Sequence, residues 1–190
     1  MKNNKIHKMV IAALLCAIGI IIPMIAPKIV LEPASFTLAS HVAIMIAMFV
    51  SPTVALFVAI GTTLGFFMAG FPIVVVVRAL TQVVWVFGGA LYLSKKPETM
   101  ESTAKMITFI IVIAIVQGGL EMLSVCPFYF GNNLSSGYYA KGFVTAVLGL
   151  VGGGTVIHTF VDFAITLVVY KAMLGISSIK SVCQVKKLVI

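Results

Sequence analysis

Three residues near the middle of the chain have types and spacing suited to holding a small anion. Arg78, Gln82 and Trp85 lie within residues 71–93, an almost wholly apolar run of 23 residues (FPIVVVVRALTQVVWVFGGALYL). At 3.6 residues per helical turn they project from one face. A cation, an amide and an indole in a row suit a small aromatic or amide-bearing carboxylate. An arginine at the centre of a membrane helix costs roughly 2.5–3.5 kcal/mol on insertion scales, so its presence calls for a reason. The plainer reading is that Arg78 reaches the headgroups or pairs with a buried acid while Trp85 merely packs. A second pair, His158 and Asp162, stands four residues apart on one helical face. It either contacts a ligand or satisfies itself, and Asp162 is also a candidate partner for Arg78. Asn132 and Asn133, beside Tyr138 and Tyr139, read equally as a hydrogen-bonding rim or as part of an interfacial aromatic belt.

These residues sit in a chain of 190 residues that is 61% hydrophobic and 9% charged, with mean hydropathy +1.18. Soluble domains carry about 25% charged residues, so the composition is that of an integral membrane protein. The length suits a single domain over residues 1–190. The net charge of +8 lies mostly in short flanks of apolar segments. Topology explains it better than a nucleic-acid partner does. Cys16, Cys126 and Cys183 have neither disulfide-framework nor metal-site spacing. No cleavable signal peptide is evident after Lys8, and no metal or cofactor is expected on this chain.

The pattern predicts an all-α bundle of six transmembrane helices over residues 9–26, 39–51, 53–69, 72–93, 106–124 and 142–173. The second apolar stretch is short for a full crossing and is expected either to borrow from the preceding segment or to be partly shielded by protein. Ala13 and Ala17 place small side chains on one face of the first helix, where another helix can approach closely. That neighbour is either within the subunit or outside it. Residues 27–40 (PKIVLEPASFTLAS) interrupt the apolar pattern and read as a lid or as a plain connector. Residues 94–105 form a polar linker near the midpoint, and no sequence repeat relates the halves. Of 13 lysines and arginines, all but Lys28, Arg78 and Lys141 fall on the side of the termini. The excess of positive charge marks that side as cytoplasmic. Arg78 then lies in the outer half of its helix, below two outward loops.

The run IVLEPASFTLASHVAIMIAMFVSP, followed by TTLGFFMAGFPIVVVVRAL, with six spans in a chain this short and a lysine-flanked first helix, resembles the S components of energy-coupling factor vitamin transporters. The resemblance covers essentially the whole chain. It implies a high-affinity vitamin-binding membrane subunit without its own ATPase, and the chain has no G-x-x-x-x-G-K-[ST] sequence. It implies that Ala13 and Ala17 dock on a transmembrane coupling subunit, and that two cytoplasmic ATPase subunits burn the ATP. It also implies that the loop carrying Lys28, Glu32 and Phe36 gates the pocket. The niacin-type and pantothenate-type groups are the most similar. Trp85 near Arg78 favours nicotinate; Asn132, Asn133, Thr62 and Thr63 would serve pantothenate.

Two other classes stand against this reading. One is a membrane-embedded enzyme using His158 and Asp162, although the chain lacks H-E-x-x-H and G-x-S-x-G. The other is a secondary transporter that works alone, against which the few intramembrane charges and the missing inverted repeat weigh.

Overall fold

Helix covers every apolar stretch that the sequence marks, but the lengths are uneven. The computed structural model describes the backbone of residues 2–31 and 34–190, and the side chains of 4–27 and 36–190. Helix α1 (Lys2–Ile25) runs through Pro23 near its end. It leads into a two-stranded antiparallel hairpin, β1 (Lys28–Leu31) and β2 (Ala34–Thr37), with Lys28 opposite Thr37 and Ile29 opposite Phe36. Then come α2 (Val42–Val50), α3 (Pro52–Met68) and α4 (Ile73–Lys95). A 3-10 turn at Pro97–Glu101 precedes α5 (Thr103–Phe130) and the short α6 (Ser136–Ala140). A π-helical segment (Val144–Gly153) continues into α7 (Gly154–Leu174), and α8 (Ser177–Val182) ends the helical part.

Four helical stretches are long and apolar enough to cross a membrane: Asn4–Ile25, Ile73–Lys95, Thr103–Phe130 and Val144–Leu174. The chain is an all-α membrane protein with one small hairpin. Helix α3, with 17 residues, is a shorter apolar helix. Helix α2 has nine residues, about 14 Å at 1.5 Å per residue, against a hydrocarbon core of about 30 Å. Its sequence, VAIMIAMFV, is apolar all round, and all nine residues are buried. It is an interior peg with the longer helices packed around it. Ser51 separates it from α3: its backbone is extended, its side chain accepts from Val54 N at 3.3 Å, and Pro52 opens the next helix.

The structure departs from the sequence reading at two places. Residues 28–31 and 34–37 pair as antiparallel strands where a lid loop or a plain connector was expected. Helix α5 runs past the expected end at 124, through Pro127 to Phe130, so the following loop is shorter than expected.

The two ends of the bundle are built differently. At the end where α2 stops, Phe49, Phe163 and Tyr170 pack tilted and edge-on in the core and are buried. The C-terminal segment closes that end. Gln184 donates to the Met48 and Ala90 carbonyls at 2.7 and 3.1 Å, and Tyr170 donates to the Val185 carbonyl at 2.6 Å. At the other end, where α2 begins, the helices diverge around a cavity. Outside, Leu14, Phe57, Phe67, Ile115 and Val168 belong to a belt of exposed apolar side chains suited to lipid.

Candidate functional site

The cavity, of about 270 Å³, lies at the hairpin end of the bundle. Its walls come from the late turns of α1, α3 and α5 and the early turns of α4 and α7, with Phe36 and Ser40 from the hairpin and its exit. This alternation follows from antiparallel packing of successive helices. It brings residues of widely separated sequence positions to one depth.

Arg78, in the second turn of α4, lines the cavity. Its Nε donates to Glu121 Oε2 at 2.9 Å, and Nη2 donates to the same oxygen. Glu121 is 2% exposed. It also accepts from Thr155 Oγ1 at 3.0 Å and from Gln117 Nε2 at 3.3 Å. A guanidinium has five N–H donors. Those not spent on Glu121 have no protein partner among the described residues. The ion pair thus fixes the arginine while leaving donors for a ligand on the cavity wall.

From Glu121 a continuous polar chain crosses the protein. Gln117 lies one turn earlier on α5 and is fully buried. Its Oε1 accepts from Thr159 Oγ1 at 3.0 Å, and its Nε2 lies 3.1 Å from His41 Nε2. His41 Nδ1 lies 3.0 Å from Asp162 Oδ2. Asp162 is itself fully buried. It accepts the Ala39 N–H on Oδ1 and the His41 N–H on Oδ2, each at 2.9 Å. His158 Nε2 lies 3.2 Å from Asp162 Oδ2 and 3.0 Å from Ser40 Oγ. Asp162 therefore anchors the turn that enters α2, where Ala39 has φ +64°. Every charged member has a partner, as burial requires.

Phe36 covers this cluster. Its ring centroid is 5.5 Å from that of His158. A Cβ on Gly154 would lie 2.5 Å from Phe36 Cζ, so the glycine leaves room for the ring. A second close approach sits at Gly118, where a Cβ would lie 2.8 Å from the Gly152 carbonyl oxygen. It lets α5 pack tightly on the π-helical segment.

The candidates named from sequence are distributed as follows. Arg78, Gln82 and His158 share the cavity wall. Asp162 lies behind His158, outside the lining. Trp85 is on the same helical face as Arg78 but deeper, 2% exposed, edge-on to His41 at 6.3 Å between centroids. It lines a separate apolar groove with Gly88, Tyr92 and Phe109. Asn132 and Asn133 are exposed beyond the end of α5 and do not line the cavity. Lys28 lies in β1, Phe36 in β2, and Glu32 lies outside the described residues. Ala13 and Ala17 are exposed on α1. Sequence reasoning left out His41, Gln117 and Thr155 and gave Glu121 no role. The Gln117–Glu121 spacing inside an apolar helix was the available signal, since intramembrane polar residues mark sites by default.

No family model matches the chain, and no solved structure matches it. The chain is 40% identical over 168 residues to the niacin transporter NiaX of Lactococcus lactis subsp. cremoris (strain MG1363), covering 87% of this chain and 74% of that protein. The relationship is to a transport protein and not to an enzyme. With the identity spread over most of both chains, the protein belongs to the NiaX-type family of energy-coupling factor S components.

Proposed function

We propose that this chain is the niacin-binding subunit of an ATP-driven energy-coupling factor importer, with nicotinate as its substrate. The observation that carries the reading is Arg78, held by Glu121 on the wall of a small cavity with N–H donors to spare. The Lactococcus relative, a niacin transporter, points the same way. Ligand pockets commonly enclose about 300–1,000 Å³. A cavity of about 270 Å³ suits a single-ring carboxylate better than the longer pantothenate. In this reading the nicotinate carboxylate accepts from Arg78, Gln82 donates or accepts beside it, and the ring lies against Phe36, Phe66 and Phe71. Trp85 acts indirectly, by packing on His41.

The topology in this reading is six spans with both termini in the cytoplasm. Lys5, Lys8, Lys95, Lys96, Lys105 and Lys171 all sit at the end away from the cavity, as the positive-inside rule requires of a cytoplasmic face. The cavity then opens outward, and the segment of residues 28–40, with Lys28 and Phe36 in its strands and Glu32 among its candidate gating residues, is its gate. The exposed Ala13 and Ala17 face is the docking surface for the coupling subunit. Two ATPase subunits complete the importer, and this chain itself carries no cofactor for transport. Calorimetry on the detergent-purified chain tests the substrate. Tight binding of nicotinate, with nicotinamide and pantothenate far weaker, supports the reading. Failure to bind nicotinate, or tighter binding of pantothenate, overturns it.

A further inference from the structure

His41, His158 and Asp162 come together from α2's entry and from α7, although His41 and His158 are 117 positions apart in the chain. The ligand atoms that these three offer all lie within 4.8 Å of one another. Asp162 Oδ2 lies 3.0 Å from His41 Nδ1 and 3.2 Å from His158 Nε2. Ser40 Oγ lies 3.0 Å from His158 Nε2, 3.4 Å from His41 Nδ1 and 3.5 Å from Asp162 Oδ2. A tetrahedral ion with bonds of about 2.0 Å has ligand–ligand edges of about 3.3 Å. Five of the six edges of this four-atom figure lie near that value.

The cluster crowds one oxygen. The His41 backbone N–H, His41 Nδ1, His158 Nε2 and Ser40 Oγ all lie within 3.5 Å of Asp162 Oδ2. One carboxylate oxygen offers about two lone-pair sites. A cation between the ring nitrogens and that oxygen relieves the crowding. It would let both imidazoles act as neutral ligands and leave the carboxylate with its two backbone N–H bonds.

We infer that His41 Nδ1, His158 Nε2 and Asp162 Oδ2 form a binding site for a divalent transition-metal ion of the zinc type, with Ser40 Oγ at the fourth vertex. Two imidazoles and one carboxylate suit such a borderline ion and not magnesium or calcium. Ser40 and His158 line the cavity, so the fourth vertex is open to a small ligand that enters it. The inference stands on the cluster alone and does not depend on the identity of the vitamin.

The test is metal binding by the full, untagged chain in detergent, stripped with a chelator and then titrated with Zn²⁺, with Co²⁺ as the spectroscopic probe. The expected result is one ion per chain and a Co²⁺ visible spectrum of tetrahedral intensity. His158→Gln should weaken Zn²⁺ binding by at least ~10-fold, and His7→Gln, on the exposed start of α1, should leave it unchanged. Less than one ion bound by the folded wild-type chain, or affinity unchanged in His158→Gln, overturns the inference. His41→Gln gives a second reading of the same result.

Discussion

Helix α7 joins two regions that bury polar groups in different ways. In its first turns Thr155, His158, Thr159 and Asp162 meet Arg78, Glu121, Gln117 and His41 in a chain of charged and ionisable groups beside a cavity. In its last turns Tyr170 and the neighbouring Gln184 meet only backbone carbonyls, in a region without a buried charge among the described residues. Both ends cap α2, one through Asp162 at its entry and the other through Gln184 at its exit. At the exit, side-chain donors meet carbonyls that would otherwise be orphaned at the end of a buried helix. At the entry, the arginine keeps donors in excess. The exit is finished as structure, whereas the entry is left incomplete in a way a ligand can complete.

The largest effect should come from the group that serves the entry alone as an anchor. Asp162→Ala leaves the Ala39 and His41 N–H groups and the His41 ring without their acceptor. Removing one partner of a buried charged cluster costs about 3–5 kcal/mol. Thermal unfolding in detergent should show a clear drop in melting temperature. A melting temperature equal to the wild type would mean that the entry to α2 holds without its carboxylate.

Arg78→Ala comes next and separates binding from structure. Truncating one member of a desolvated, hydrogen-bonded charge pair costs about 2–5 kcal/mol, or roughly 30-fold to several thousandfold in nicotinate affinity. Arg78→Lys keeps the charge but not the planar fork, and should recover only part of the loss. Calorimetry checks both. Unchanged affinity in Arg78→Ala would remove the arginine from the binding site.

Gln184→Ala probes the finished end. It removes two hydrogen bonds to carbonyls, at about 1 kcal/mol net each. The melting temperature should fall modestly while nicotinate affinity stays within twofold. A loss of affinity comparable to that of Arg78→Ala would show that the two ends are coupled through α2, and the contrast drawn above would fail.

How much of this was legible in the sequence differs between the two ends. Helical spacing alone put Arg78 and Gln82 on one face, and put His158 next to Asp162. It could not show where the cavity stops. Trp85 shares the face, but His41 and Ile44 reach in between, because a fully buried nine-residue helix runs down the middle of the bundle. His41 read only as the start of an apolar run. Its role depends on Asp162, 121 positions later. The pairing of Glu121 with Arg78 depends on the antiparallel register of α4 and α5, which helical spacing does not give. The hairpin was hidden because its residues have no clean alternation, and Asp162 holds the turn that follows it. Asn132 and Asn133 read equally as a rim or as part of an interfacial belt, in a loop expected from 125 onward; Pro127 does not stop the helix. Helix α5 continues through it and carries them out beyond the cavity.

The smallest expected effect on the isolated chain belongs to a surface outside both ends. Ala13 and Ala17 are exposed on α1, whereas Ala12 and Leu15 on the same helix are buried against the core. The two alanines therefore do not hold α1 to its own bundle. Replacing both by tryptophan adds bulk where no neighbour stands, so melting temperature and nicotinate affinity should match the wild type. Close helix–helix approach in a membrane depends on small side chains at the contact. The same double variant should therefore lose assembly with a transmembrane coupling subunit, read by co-purification, and with it uptake in vesicles. Assembly that survives two tryptophans would move the docking surface to another exposed helix face. A fall in melting temperature would show that this face packs within the subunit after all.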